Sequence, residues 1–135
     1  KATGKGRLYL GNLYSKRDWG HAKDYVFAMW KMMQKKNPKD YVIATGKQYS
    51  VKEFANLVAN ELEMKIIWKG KGINEKGYIN KKISIIIDKR YFRPTEVESL
   101  LGDSKFARKE LNWKPKYSIK SLVKDMVNKE LQNNK

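Results

Sequence analysis

Residues 8–36 constrain the fold most, because an apolar run, a glycine-containing loop and an amphipathic helix follow one another there. Leu8-Tyr9-Leu10 ends at Gly11 and is typical of a short strand. Helical spacing begins near His21 and ends before Asn37-Pro38. The apolar positions of this helix are Ala22, Tyr25, Val26, Met29, Trp30 and Met33. A strand that leads through a loop into a helix indicates a mixed α/β domain.

Apolar runs and helical repeats alternate along the rest of the chain. Strands are predicted at residues 41–46, 65–68 and 83–87, and helices from about 51 to 62, 104 to 111 and 118 to 131. Ser50 and Glu53 have capping-box spacing, which marks a helix start. The polar, glycine-containing residues 70–82 are predicted to form a mobile excursion.

A second capping-box spacing occurs at Thr95-Glu96-Val97-Glu98 and predicts a short helix that ends near Gly102. This places Glu96 in the first helical turn. Ser104 and Ser118 are the predicted N-caps of the last two helices. The final helix is predicted to bury one face, formed by Ile119, Leu122, Val123, Met126, Val127 and Leu131.

The composition is that of one globular domain. The 135 residues are 41% hydrophobic and include no cysteine, which excludes a disulfide framework and a thiolate metal site. No apolar run approaches the roughly 20 residues of a membrane span, and no secretory signal opens the chain. Cytoplasmic residence is therefore expected. Because the chain starts at Lys1 and its first residues resemble the end of a preceding element, a piece of a longer protein is expected.

The formal net charge of +16 raises the alternative of a basic nucleic-acid-binding module. The chain has 25 lysines but only five arginines, and its acidic residues are interspersed among them. Nucleic-acid sites cluster their positive charge, whereas these lysines are spread evenly along the sequence. A lysine-rich solvated surface is the favoured interpretation, and nucleic-acid binding stays the alternative.

The sequence offers no complete catalytic constellation. His21 is the single histidine, and no histidine or carboxylate spacing matches a metal site or an activated nucleophile. His21, Asp18 and Asp24 are therefore predicted to shape the entry into the first helix, as caps and dipole partners. Trp19 is predicted to anchor the loop by packing.

Two arginines are better placed for binding. Arg17 lies in the loop between a strand and a helix, and Arg93 precedes Pro94, which favours an extended backbone at residue 93. Their planar guanidinium groups suit two-point recognition of a diphosphate. Glu96 could accept hydrogen bonds from sugar hydroxyls. Spacing alone equally allows surface ion pairs, between Arg17 and Asp18 or Asp24, and between Arg93 and Glu96.

Several segments together resemble one family of nucleotide-sugar enzymes, the GDP-mannose 4,6-dehydratases of the extended short-chain dehydrogenase type. The Arg17-Asp18 pair alone is shared by many epimerases and dehydratases, whereas the full combination is specific to the GDP-mannose branch. The segments follow the family's order over nearly the whole chain: 10–13, 16–26, 42–46, 50–54, 68–72, 91–97, 101–103 and 113–115.

The resemblance implies a single nucleotide-sugar-binding fragment over residues 1–135, the C-terminal substrate lobe without most of the Rossmann half. It implies that Arg17 and Arg93 contact the diphosphate or ribose of GDP and that Glu96 bonds the ribose or guanine side. Leu10 and Asn12, on the edge that ends the first strand, are implied to lie near the base. Lys16 is a further candidate.

The family enzyme uses NADP, which takes a hydride from GDP-mannose and returns it after water is eliminated. That chemistry needs a glycine-rich fingerprint, a catalytic Thr and Glu and a Tyr-x-x-x-Lys pair, none of which occurs here at a matching position. The chain is therefore expected to be catalytically silent alone and to bind no cofactor alone. Its expected partners are GDP-mannose or GDP, the missing Rossmann half and, in the intact enzyme, further copies as a homo-oligomer. A stand-alone interaction domain without ligand is the remaining alternative.

Overall fold

The computed structural model describes residues 6–92, 97 and 99–133, in which short strands alternate with four α-helices. In chain order these elements are β1 (Leu8–Leu10), β2 (Lys16–Arg17), α1 (Ala22–Met33), β3 (Tyr49–Ser50), α2 (Val51–Glu61), β4 (Ile67–Lys69), β5 (Lys76–Ile79), β6 (Lys82–Ile87), α3 (Lys105–Leu111) and α4 (Ile119–Asn133). The predicted mixed α/β class is confirmed.

Four of the strands form one sheet in the order β1-β6-β5-β4. β1 runs parallel to β6, with Leu10 opposite Ile87, and the other pairs are antiparallel. β2 and β3 form a separate two-stranded ladder in which Arg17 lies opposite Tyr49. The strands predicted near residues 8–10, 65–68 and 83–87 are thus confirmed as strands. β2 is a further strand, in a segment that was predicted to be loop.

α1 and α3 enclose the hydrophobic core on one side of the molecule. Ala28 of α1, Ala107 and Leu111 of α3, and Trp113 form a buried cluster. The Trp113 indole also donates a hydrogen bond of 3.0 Å to the backbone oxygen of Asp24, which ties the end of α3 to the start of α1.

α2 packs against α4 and begins with a complete capping box. Ser50 Oγ accepts from the backbone amide of Glu53 at 3.1 Å, and the Glu53 carboxylate accepts from the Ser50 amide at 2.6 Å. The predicted cap is therefore confirmed. Ser118 also caps α4, where its Oγ accepts from the Ser121 amide at 3.2 Å. The prediction for the α4 face is right for the buried residues Ile119, Val123 and Val127 but wrong for Met126 and Leu131, which are exposed.

The strand predicted at residues 41–46 is wrong. These residues join no strand ladder within the described chain, and side chains bind their backbone instead. Asp18 accepts from the amides of Thr45 and Gly46, while Ser104 Oγ donates to the Ala44 oxygen and Arg108 donates to the Thr45 oxygen. The apolar pattern indicated burial, which Ala44 does show, but it carried no information on a neighbouring strand.

The irregular excursion predicted at residues 70–82 is also wrong, because these residues form regular elements, whereas its mobility stays a prediction. A short 3-10 helix at Gly72–Asn74 leads into β5, which forms a hairpin with β6. Asn80 and Lys81 have φ angles of 49° and 63°, the left-handed conformations that a two-residue hairpin turn requires. The lysines around Tyr78 and Ile79 interrupt the apolar pattern that is typical of a strand.

The predicted short helix ending near Gly102 is absent from those of its residues that the structure describes. Ser99 instead forms a parallel bridge with Lys16. Ser104 is the N-cap residue of α3, but its hydroxyl bonds Ala44 and Arg108 and does not cap the helix itself.

Candidate functional site

The end of β1 lies directly against the turn that contains Tyr91. The amide of Asp88 donates to the Leu10 oxygen at 2.8 Å, and a Cβ on Gly11 would overlap the carbonyl of Tyr91. Only glycine permits this approach of two backbones. The predicted base-side residues Leu10 and Asn12 therefore lie next to the segment that leads to Arg93.

Asn12 holds the start of the following loop. Its Oδ1 accepts from the Tyr14 amide at 2.9 Å, an Asx-type turn. Leu13 behind it is fully buried, and its carbonyl accepts from the Lys52 amide at 2.9 Å. The loop is thus fixed to the N-terminus of α2.

Arg17 lies on β2 and reaches across to a distant part of the chain. Its Nη1 donates at 2.8 Å to the Lys16 carbonyl and at 2.8 Å to the Val97 carbonyl. Lys16 reinforces this junction, since its carbonyl accepts from the Leu100 amide at 3.4 Å. Arg93 and Glu96, the other two predicted ligands, lie outside the described residues.

The carboxylates predicted as helix-entry groups bind backbone amides. Asp24 is buried and accepts from the amides of Lys116 and Tyr117 at 3.0 Å. His21 is the N-cap of α1: its Nδ1 accepts from the Lys23 amide at 3.1 Å, and its Nε2 lies 3.1 Å from Asp125. The prediction that His21 caps the entry into α1 is confirmed, and Asp24 lies in the first turn as predicted. Asp18 does not cap α1, because its carboxylate accepts from the amides of Thr45 and Gly46.

A groove of about 500 Å³ opens beside Arg17. Arg17 and Asp18 supply its charges, and Trp19 rests on Phe54 at a ring distance of 4.8 Å, as predicted for a packing anchor. The apolar part of the lining comes from Tyr25, Val42, Ile43, Ala44, Leu100 and Leu101. A groove lined by an arginine and by apolar side chains suits a ligand that carries both an anionic and an uncharged part.

A buried ionic cluster near the loop was not predicted. Glu75 is 3% exposed and accepts at 2.6 Å from both Lys52 Nζ and Tyr14 Oη. Lys52 also lies over the rings of Tyr14 and Trp68. Burial is the largest influence on Glu75 and raises its pKa, but the hydrogen bonds and charge of Lys52 and the Tyr14 hydroxyl outweigh it, so the pKa lies below the ordinary 4.5. Glu75 lies in the polar segment 70–82, which was predicted to be irregular, so no sequence pattern indicated its burial.

The described residues offer neither a metal site nor a dinucleotide cradle. No group of three or more histidine, aspartate or glutamate side chains gathers among them. The spaces in front of Gly11 and Gly20 are filled by Tyr91 and Tyr25. Tyr78 and Lys82 have Tyr-x-x-x-Lys spacing, but they lie on opposite strands of the β5–β6 hairpin and not on one helix. No helix in the described ranges has the length and apolar character needed to cross a membrane.

Comparison with known proteins gives one family. The family model for GDP-mannose 4,6 dehydratase matches residues 1–126. A GDP-mannose 4,6 dehydratase of Drosophila melanogaster is 50% identical over 125 residues, covering 91% of this chain and 32% of the relative. The Dictyostelium discoideum enzyme of that name is 50% identical over 127 residues, covering 93% and 36%. The chain thus spans about a third of the length of these curated relatives.

Among solved structures, UDP-glucose 4-epimerase of Thermotoga maritima superposes with a TM-score of 0.75 over 99% of this chain and 37% of the epimerase. At 19% sequence identity this likeness concerns the fold, which is that of part of an extended short-chain dehydrogenase. Fold, motif order and family match agree, and the chain belongs to the GDP-mannose 4,6 dehydratase family.

Proposed function

We propose that this chain, over residues 1–135, is the nucleotide-sugar-binding portion of a GDP-mannose 4,6-dehydratase and holds the GDP moiety. The complete enzyme would be an NADP-dependent lyase that converts GDP-mannose to GDP-4-keto-6-deoxymannose and water. Family membership supports this activity for the complete protein, of which the chain spans about a third.

One observation carries the proposal: Tyr91 and Val97, described residues on either side of positions 93–96, each contact residues that are predicted to bind the ligand or lie beside them. Val97 accepts from Arg17, and Tyr91 lies against Gly11, between Leu10 and Asn12. Because residues 93–96 are joined covalently to both neighbourhoods, Arg17 and the Arg93-to-Glu96 segment can serve one ligand.

The proposed roles follow the chemistry of each side chain. Arg17 and Arg93 bind the diphosphate through charge-assisted hydrogen bonds. Glu96 accepts from ribose hydroxyls or the guanine edge. Leu10 and Asn12 border the base, and the exposed Lys16 adds a mobile positive charge.

NADP belongs, in this proposal, to the portion of the enzyme that the chain does not span. A dinucleotide pyrophosphate needs a glycine turn open toward it at a helix start. Gly11 and Gly20, which lie between β1 and α1, are instead closed by tyrosines. The described residues therefore do not fit this cofactor, and the chain alone is proposed to be catalytically silent.

The complete protein is further proposed to be a cytoplasmic homo-oligomer whose Rossmann half completes the substrate site. The high positive charge of this chain would attract anionic nucleotide sugars generally. A conversion of GDP-mannose by the purified 135-residue chain would contradict the proposed division of labour.

A titration separates this proposal from a basic nucleic-acid-binding module. The ¹⁵N-labelled chain is titrated with GDP, GMP and a random single-stranded DNA at two salt concentrations, with amide shifts as the readout. The proposal predicts that GDP binds more tightly than GMP and shifts amides near Arg17, residues 10–12 and residues 99–101. Stronger binding of DNA, with a steep loss of affinity at high salt, would favour the alternative.

A further inference from the structure

The β1–β2 loop, residues 11–15, connects two groups of residues that are proposed to bind GDP. Leu10 and Asn12 stand at its start, and Lys16 and Arg17 follow its end. Because the chain is continuous, the conformation of this loop fixes how the proposed base side and the proposed phosphate side of the site are placed relative to each other.

The backbone of the loop is bound to the N-terminus of α2. The Leu13 carbonyl accepts from the Lys52 amide at 2.9 Å, and the Ser15 carbonyl accepts from the Val51 amide at 3.2 Å. These bonds continue from the β2–β3 ladder, and they hold the loop on either side of Tyr14.

The Tyr14 side chain belongs to the buried ionic cluster of Lys52 and Glu75. Its hydroxyl donates to one oxygen of the Glu75 carboxylate at 2.6 Å, and Lys52 Nζ donates to the other oxygen at 2.6 Å. Lys52 Nζ also lies 5.4 Å from the centre of the Tyr14 ring. One carboxylate therefore joins the loop to α2 through both of its oxygens.

Both charged partners are held in place by their surroundings. Gly70 has a φ angle of 91°, and a Cβ there would overlap the Asn74 carbonyl, directly before Glu75. The Trp68 ring lies 5.1 Å from Lys52 Nζ, and its indole nitrogen donates to Asn56 on α2 at 2.9 Å. A tight glycine turn thus places Glu75, and an aromatic side chain fixed to α2 borders Lys52.

The burial of this ion pair indicates a role in geometry. The Glu75 side chain is 3% exposed and that of Lys52 is 25% exposed. The cost of removing two charges from water offsets much of their attraction, and apolar residues of similar volume often stabilise a fold equally well. A carboxylate with two directed donors adds a fixed arrangement, because a displaced partner would leave a buried charge uncompensated.

We propose that Lys52 and Glu75 are positioning residues that hold the β1–β2 loop, through Tyr14, in the conformation that binds GDP. The inference rests on the proposed function, because it concerns the same site. Neither residue touches the nucleotide in this proposal, and their effect on binding passes through the loop.

The test compares the dissociation constant for GDP, from amide shifts of the ¹⁵N-labelled chain, in wild type and four variants. Lys52→Met removes the ammonium group, Lys52→Arg keeps the charge, and Tyr14→Phe removes only the hydroxyl. Tyr78→Phe is the matched control, because Lys69 Nζ lies over the Tyr78 ring as Lys52 Nζ lies over that of Tyr14. Urea denaturation checks that each variant is folded under the conditions of the titration.

The proposal predicts that Lys52→Met weakens GDP binding about tenfold and Tyr14→Phe about threefold, since a loosened loop misplaces its contacts with the ligand. Lys52→Arg should stay within about twofold of wild type, because a guanidinium group also donates to carboxylates and stacks on aromatic rings. Tyr78→Phe should bind as wild type does.

Hydrogen exchange measures the loop itself, without ligand. In Tyr14→Phe the amides of Val51 and Lys52, which donate to the loop carbonyls, should exchange about threefold faster. The amide of Trp113, which donates to the Arg108 carbonyl, should exchange at the wild-type rate. A general loss of stability would instead accelerate all three.

The positioning role is overturned if Lys52→Met or Tyr14→Phe binds GDP as tightly as wild type, or if Lys52→Arg binds as weakly as Lys52→Met. Unchanged exchange at Val51 and Lys52 would overturn it as well. If Lys52→Met does not fold, Tyr14→Phe decides, because Tyr14 is 54% exposed and the change is confined to one hydroxyl. A wild-type chain without GDP-induced shifts would contradict the proposed function itself, and the positioning role would fall with it.

Discussion

Arg17 donates a 2.8 Å hydrogen bond from Nη1 to the backbone oxygen of Val97, 80 positions further along the chain. The bond joins the β2 strand to the end of the segment that holds Arg93 and Glu96. The proposed GDP site therefore has an anchor that is part of the fold.

Gly11→Ala tests whether the contact between β1 and Tyr91 positions this site. The added Cβ would overlap the Tyr91 carbonyl, so one of the two backbones must move. Urea denaturation should show a loss of about 1–3 kcal/mol in the free energy of unfolding. The GDP-induced shifts at residues 10–12 should also shrink, and an alanine variant with wild-type stability and shifts would show that the contact is unimportant.

The sequence was sufficient where the signal was local. The caps at Ser50 and Ser118, the start of α1 at His21 and the strand at residues 83–87 depend on neighbours within a few positions, and the structure has all of them.

The failures came from partners distant in sequence. The burial of Glu75 depends on Lys52 and Tyr14, and the side-chain contacts of residues 44–46 depend on Asp18, Ser104 and Arg108. No local pattern encodes such pairs. The candidate site residues were predicted from the motif resemblance. The structure shows that Arg17 donates a hydrogen bond to Val97. The ligand roles of Arg17, Arg93 and Glu96 stay predictions.

Asp24→Ala is expected to destabilise the fold strongly, because the buried carboxylate accepts from two backbone amides, those of Lys116 and Tyr117. Leaving these partly buried amides unsatisfied and removing a buried carboxylate should cost about 2–3 kcal/mol, measured by urea denaturation. Asp40→Ala, at an exposed aspartate, is the control and should change stability by less than about 0.5 kcal/mol. Equal effects of the two variants would contradict the structural role of Asp24.

Glu75→Gln tests the buried ion pair with Lys52 through pH dependence. The folded-state pKa of Glu75 is lowered, so its charged form stabilises the fold above the unfolded-state pKa near 4.5, and this contribution is lost as pH falls through the folded value. The variant should lose about 2 kcal/mol at pH 7 but differ less from wild type at pH 3.

Glu61→Gln, at an exposed glutamate on α2, is the control for this pH series and should follow wild type at both pH values. A Glu75→Gln variant whose deficit is the same at pH 3 and pH 7 would mean that the charge of Glu75 contributes nothing to stability.

The most direct test of the central claim is the affinity of the chain for GDP with and without the Arg17 side chain, measured by amide shifts in a titration that reaches millimolar GDP. Arg17→Ala should weaken binding about tenfold, the loss of one charge-assisted contact, while Arg7→Ala, which removes the same charge at an exposed position, should bind as wild type does. Equal affinities for wild type and Arg17→Ala, or an equal loss in both variants, would contradict the claim that Arg17 holds the GDP diphosphate.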